Sequence, residues 1–141
     1  GETITQHDRE SQAVPPKYHP VWLGLTFPDR QTLYDRIDLR ARQMFDAGLA
    51  GEVQALLDSG VPDSATAMQA IGYKEVARAL RGEISMDEAL AQVQQSSRRY
   101  AKRQLTWFRR NEAVRWLDAS LPFAEIFSAA RREIPFFDRA T

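Results

Sequence analysis

Residues 85–117 read SMDEALAQVQQSSRRYAKRQLTWFRRNEAVRWL, and the folding of this stretch sets the class of the chain. Ser85 and Glu88 have the S-x-x-E spacing of a capping box, in which a hydroxyl and a carboxylate satisfy free amides of a first helical turn. A long helix is therefore expected from Met86 to Arg110. Ala113–Leu117 (AVRWL) then reads as a short strand.

Working outward, Val21–Phe27 (VWLGLTF) places Val21, Leu23, Leu25 and Phe27 on one side of a strand and Trp22 on the other. It is expected to be buried on both faces. Pro28 stops it and Asp29 can cap a helix whose Leu33, Ile37, Ala41 and Met44 share a face until Gly48. A second helix, Ala50–Asp58, precedes a Gly60–Asp63 turn. A short one, Lys74–Leu80, ends at Gly82, and a last one covers Leu121–Glu133 before Pro135. The expected class is α/β, mostly helical, with few strands. Two strands alone do not make a stable sheet in water, so exposed apolar edges, self-association or a missing partner are expected.

At 141 residues the chain has the length of one domain. Residues 1–20, polar and broken by Pro15, Pro16 and Pro20, read as a linker. Nineteen Lys plus Arg balance nineteen Asp plus Glu, so any role with nucleic acid must come from local segregation of charge. The absence of cysteine excludes disulfides and thiolate chemistry. Only His7 and His19 supply imidazole, without metal-ligand spacing, so no zinc site is expected. No apolar run approaches the roughly 20 residues of a membrane span, and Gly1–Gln6 has no signal-peptide pattern, so a cytoplasmic protein is expected.

Charge segregation occurs in the long helix. From Ala89 to Asn111 there is no acidic side chain, whereas Arg98, Arg99, Lys102, Arg103, Arg109 and Arg110 are basic. At about 100° per residue they fall within an arc of roughly 140°, centred near Thr106. Val93, Tyr100, Ala101, Leu105, Trp107 and Phe108 fill the remainder and are expected to pack. Arginine forks, lysine ammonium groups and the Thr106 hydroxyl at one-turn spacing suit successive phosphates. The competing interpretation is a solvated face whose arginines pair with Asp35, Asp38, Glu52 or Asp58.

Two further places stand out. In Ala67–Lys74 (AMQAIGYK), Gly72 would let a backbone approach a ligand, Tyr73 offers a stacking face and Gln69 could bond a base edge. A plain helix-entry loop with Ile71 and Tyr73 in the core explains the same residues. Arg36 and Arg40, one turn apart, could hold a phosphate, or could pair with Asp35 and Asp38. No phosphate loop and no nucleophile with its base is present at a recognisable spacing.

Taken together, DRQTLYDRI (29–37), MQAIGYKE (68–75) and RYAKRQLTWFR (99–109) closely resemble bacterial tRNA dimethylallyltransferase, the tRNA A37 isopentenyltransferase family, in order and spacing from about Pro15 to Asp118. The resemblance implies transfer of a dimethylallyl group from its diphosphate to N6 of adenosine 37. It also implies a P-loop-type, nucleotide-binding α/β core with a helical insertion. Residues 1–20 would leave that insertion, residues 21–120 would form the carboxyl-terminal half of the core, and residues 121–141 a final helix and tail. The phosphate loop, the catalytic base and the Mg2+ ligands would lie outside this chain, which is expected to be inactive alone. By the same resemblance Gln69, Ala70, Ile71, Gly72, Tyr73 and Lys74, with Arg98, Arg99, Lys102, Arg103, Gln104, Thr106 and Arg109, would contact the tRNA anticodon stem-loop. Arg36, with Arg40 in reserve, would meet the diphosphate. The alternatives are a small non-catalytic RNA-binding or protein-interaction module, and an adaptor whose strands complete a partner's sheet.

Overall fold

The computed structural model describes residue 18 and residues 20–134. Most of the expected linker, both histidines and the tail from residue 135 lie outside the described residues. The elements are β1 (Trp22–Thr26), α1 (Arg30–Asp46), α2 (Leu49–Asp58), α3 (Tyr73–Leu80), α4 (Met86–Phe108), β2 (Val114–Asp118) and α5 (Phe123–Glu133). A 3-10 turn, Thr66–Gln69, precedes α3 and buries Met68. The periodicity of so short a segment carries no signal, and the sequence reading missed it.

Each boundary has a local cause. The Asp29 carboxylate accepts from the Gln31 and Thr32 amides and starts α1. The Ser85–Glu88 box forms as expected, with Ser85 N–H donating to Glu88 at 2.7 Å and Glu88 N–H donating to Ser85 Oγ at 3.1 Å. Helix α4 ends at Phe108, short of the expected Arg110, because the Arg110 N–H turns back to the Trp107 carbonyl. Strand β2 begins one residue late because Ala113 N–H donates to the Asn111 side chain at 3.0 Å. Pro122, with extended ψ, delays α5 to Phe123.

The two strands pair in parallel, from Trp22 opposite Val114 to Thr26 opposite Asp118. All four intervening helices make the crossover, which a parallel pair requires. Gly24 faces Trp116, and a Cβ there would sit 2.7 Å from Trp116 Cε3 and 2.9 Å from Val114 Cγ1. The indole and the valine occupy the space of the missing side chain.

The main core lies among helices α2, α3 and the 3-10 turn, where Leu49, Val53, Met68, Val76 and Ala77 are buried. Ala89 and Val93 of α4 and Ala41 of α1 are buried as well. The expectation that β1 is buried on both faces is not met: Leu25 is 61% exposed, and Trp22 and Leu23 are also exposed. Its one partner among the described residues is β2, so much of its apolar surface has nothing to pack against.

Candidate nucleic-acid interface

Helix α4 is clamped to α1 halfway along its length. Arg98 Nη1 donates to both carboxylate oxygens of Asp38, at 2.5 and 2.6 Å, and the Gln94 side chain donates to the Asp38 carbonyl at 3.2 Å. Arg98 thus has an anchoring partner in the fold, one of those foreseen by the solvated-face interpretation. No other basic residue on this face is ion-paired among the described residues: Arg99, Lys102, Arg103, Arg109 and Arg110 remain for a ligand.

Arg99, Lys102, Arg103 and Arg110 line one groove together with Thr106 and Trp107. This corrects the expected division of the helix, since Trp107 is 63% exposed among the cations instead of packed. The sequence carries the signal: Trp107 is four residues after Arg103 and three before Arg110, hence on their side. Tyr100 is also exposed, with the Arg103 guanidinium 5.8 Å from its ring centroid. Phe108 is 37% exposed and meets Trp107 edge-on at 4.8 Å. Thr106 donates its hydroxyl hydrogen to the Lys102 carbonyl at 2.9 Å, so it offers an acceptor and not the expected donor.

The segment from Gln69 to Lys74 is tied down at three points. Gln69 Nε2 donates to the Asp63 carbonyl at 2.7 Å, the Gly72 N–H donates to the Glu75 carboxylate at 2.8 Å, and the Tyr73 hydroxyl donates to Glu52. That last bond stabilises the neutral phenol, and together with slight desolvation it raises the Tyr73 pKa. Glu75 is 3% exposed and has Lys74 Nζ at 3.7 Å. Gly72 adopts φ +106°, a conformation that favours glycine, which lets the chain turn into α3. Ala70 and Lys74 are exposed and Ile71 is partly buried.

Arg36 and Arg40 share a groove lined mainly by apolar groups, including Phe27, Ile37, Met44 and Ile71. The expected alternative of pairing with Asp35 or Asp38 does not occur among the described residues. The Arg36 guanidinium lies 5.3 Å from the Phe27 ring centroid. Ile71 brings the loop next to the two arginines, a juxtaposition that nothing in the linear sequence displays. Arg36 also borders a larger cleft of about 620 Å3 between the sheet and helices α1 and α4. Gln104 faces this cleft and not the basic groove. No carboxylate lines the cleft among the described residues, and no group of three His, Cys, Asp or Glu there could hold a metal ion. These residues do not make a magnesium site.

Comparison with known proteins places these features in context. A family model described as IPP transferase matches residues 1–111. The chain is 44% identical over 117 residues to tRNA dimethylallyltransferase of Thermoanaerobacter sp. (strain X514), covering 82% of this chain and 37% of that protein. It is 50% identical over 111 residues to tRNA dimethylallyltransferase of Desulforudis audaxviator, covering 79% and 35%. The crystal structure of full-length tRNA isopentenylpyrophosphate transferase from Bacillus halodurans is similar with a TM-score of 0.76 and 39% identity, over 87% of this chain and 41% of that one. The Staphylococcus epidermidis tRNA delta(2)-isopentenylpyrophosphate transferase matches with a TM-score of 0.76 and 35% identity. The chain thus spans little more than a third of the length of these curated relatives.

Proposed function

From the premise that the chain belongs to the IPP transferase family, we propose that it is the carboxyl-terminal, tRNA-holding part of an enzyme that moves a dimethylallyl group from its diphosphate to N6 of adenosine 37. The observation that carries this reading is the groove of α4, lined by an exposed indole and by four cations that form no ion pair among the described residues. Guanidinium and ammonium groups hold phosphates, and an exposed ring stacks on an unpaired base. A neutral chain with six of its nineteen cations between Arg98 and Arg110, and no acid between Ala89 and Asn111, suits a polyanion there.

The adenine N6 is a poor nucleophile while the base is stacked, so the base must leave its stack, at a cost of a few kcal/mol. Holding the anticodon loop by its backbone is the task we assign to Arg99, Lys102, Arg103, Arg109 and Arg110. Arg98 contributes long-range charge while holding α4 to α1. The tied loop Gln69–Lys74, whose Tyr73 packs against the core, offers its exposed Gln69, Ala70 and Lys74 to the substrate in a conformation already fixed before binding, which lowers the entropy lost on association. Gln104, in the cleft beside Arg36, faces the reacting end of the substrate.

Departure of diphosphate leaves positive charge developing on the allylic carbon. Cations near the leaving group stabilise that transition state. Arg36 and Arg40 take this role from the groove they share. Magnesium, a phosphate loop and the base that removes the N6 proton are assigned to the remainder of the enzyme. Binding of an anticodon stem-loop RNA by the 141-residue chain tests the holding role. Incubation with tRNA and dimethylallyl diphosphate tests the division of labour, with adenosine 37 expected to remain unmodified.

A further inference from the structure

Lys102 and Thr106 line two hollows. The first is the groove that contains Trp107; the second is a polar notch of about 190 Å3 where the end of β1 meets the start of α1 and the end of α4. Arg30 and Tyr34 of α1 line this notch opposite Lys102 and Arg109. We propose that the notch is a second phosphate site, and that Arg30 carries the RNA contact off α4 and onto α1. A strand held in the groove would continue over Lys102 into the notch. This inference rests on the tRNA reading above and extends it to a residue on another element.

Arg30 of α1, Lys102 of α4 and Arg109, just past the end of α4, converge on this one concavity, and among the described residues no acidic side chain lines it. None of the three is ion-paired among the described residues. Asp29, next to Arg30 in sequence, accepts from the Gln31 and Thr32 amides and from the Thr32 hydroxyl, so its carboxylate serves the cap of α1. Like charges gathered in a hollow repel one another, and an anion seated among them relieves that repulsion. Because the Thr106 hydroxyl donates to the Lys102 backbone carbonyl, the Lys102 charge and the Arg30 and Arg109 forks are the groups that hold the anion. Lys102 and Thr106 border both hollows, so the notch adjoins the groove. This adjacency favours a chain of phosphates over a free diphosphate.

The test compares the 141-residue chain with Arg30→Ala, Arg30→Lys and Lys102→Ala, using fluorescence anisotropy with an anticodon stem-loop RNA over a range of salt. Calorimetric titration with inorganic diphosphate is run in parallel, and circular dichroism checks helicity. Arg30→Ala is expected to lower the magnitude of the log K against log salt slope by about 0.7, as one lost phosphate contact does. Arg30→Lys should retain most of that slope, and diphosphate affinity should not change. If Arg30→Ala keeps the wild-type slope while Lys102→Ala lowers it, the notch proposal falls and the tRNA reading stands. If Arg30→Ala weakens diphosphate binding and leaves RNA binding intact, the notch belongs to a small anion and the proposal is overturned. A wild-type chain that binds no RNA overturns both. Should Arg30→Ala lose helicity, Arg30→Gln is read by the same criteria.

Discussion

Asp38 on α1 takes a single nitrogen of Arg98, on α4, between its two carboxylate oxygens, at 2.5 and 2.6 Å. The contact joins residues sixty positions apart and sets the rotation of α1 against α4. Arg36 and Arg40 lie on α1 and the basic groove on α4, so this one pair relates the two candidate sites.

Removal of either partner should destabilise the chain. Both side chains are half-buried, so a lone charge would keep part of its desolvation penalty, and a loss of about 1–3 kcal/mol is expected for Asp38→Ala. A double-mutant cycle with Arg98→Ala, read by urea unfolding, should give a coupling energy of at least about 0.5 kcal/mol. Strict additivity would show that the contact does not hold the helices.

Trp107→Ala and Phe108→Ala should separate two roles. An exposed indole that stacks on a base contributes about 1–3 kcal/mol to binding without changing the salt slope. Phe108 is 37% exposed, so its truncation should cost less than the ~3–5 kcal/mol of a fully buried phenylalanine. RNA affinity and urea midpoints measured on both variants check the division. Equal RNA affinity of wild type and Trp107→Ala would remove the stacking role.

Gly24→Val tests the sheet. The added side chain would enter the space held by Trp116 and Val114, and a destabilisation of about 1–3 kcal/mol is expected from overpacking. The same change at Gly51, where a Cβ meets nothing within 4 Å, should have a much smaller effect, limited to helix propensity. Thermal unfolding of the two variants provides the comparison.

Two caps give the chain an acid dependence. Hydrogen bonds from the Ser85 amide and hydroxyl hold Glu88 below its ordinary value of 4.5, and the Thr32 and Gln31 amides hold Asp29 below 3.8. A carboxylate whose folded pKa is depressed stabilises the fold above its unfolded pKa and loses that contribution as pH falls through the folded value. Helix content should therefore decline below about pH 4.5, with a smaller decline in Asp29→Ala and Glu88→Ala. Identical acid titration curves for wild type and both variants would contradict the assignment.

In a complete transferase that carries this sequence, Arg36→Ala should slow turnover by about 2–4 kcal/mol in activation free energy while leaving tRNA affinity nearly unchanged. Single-turnover kinetics with saturating tRNA reads the two effects apart. A collapse of tRNA binding with normal turnover of bound tRNA would assign Arg36 to the RNA instead.

The parts legible in the sequence are those with local causes. Asp29, Ser85 and Glu88 place the starts of α1 and α4, and apolar spacing gives most of α1 to α5 within a few residues. The resemblance carried by residues 29–37, 68–75 and 99–109 points to the family that the comparison with known proteins supports. The misses came from long-range packing. Burial of β1 depends on what covers it, which its own residues do not state. Asp38 is among the partners expected for the arginines of α4, but which of them Arg98 takes, and the groove that Ile71 shares with Arg36 and Arg40, depend on how α1 rotates against α4. Arg30 in the notch lies far along the chain from Lys102. Trp107 differs, because its spacing from Arg103 and Arg110 already put it among the cations.

The most direct test of the central claim is the salt dependence of anticodon stem-loop binding by the 141-residue chain and its Lys102→Ala and Arg103→Ala variants. The account predicts that affinity falls linearly on a log–log plot as salt rises, and that each substitution lowers the magnitude of the slope by about 0.7. Slopes that remain at the wild-type value in both variants would contradict it and leave this face of α4 as a solvated surface.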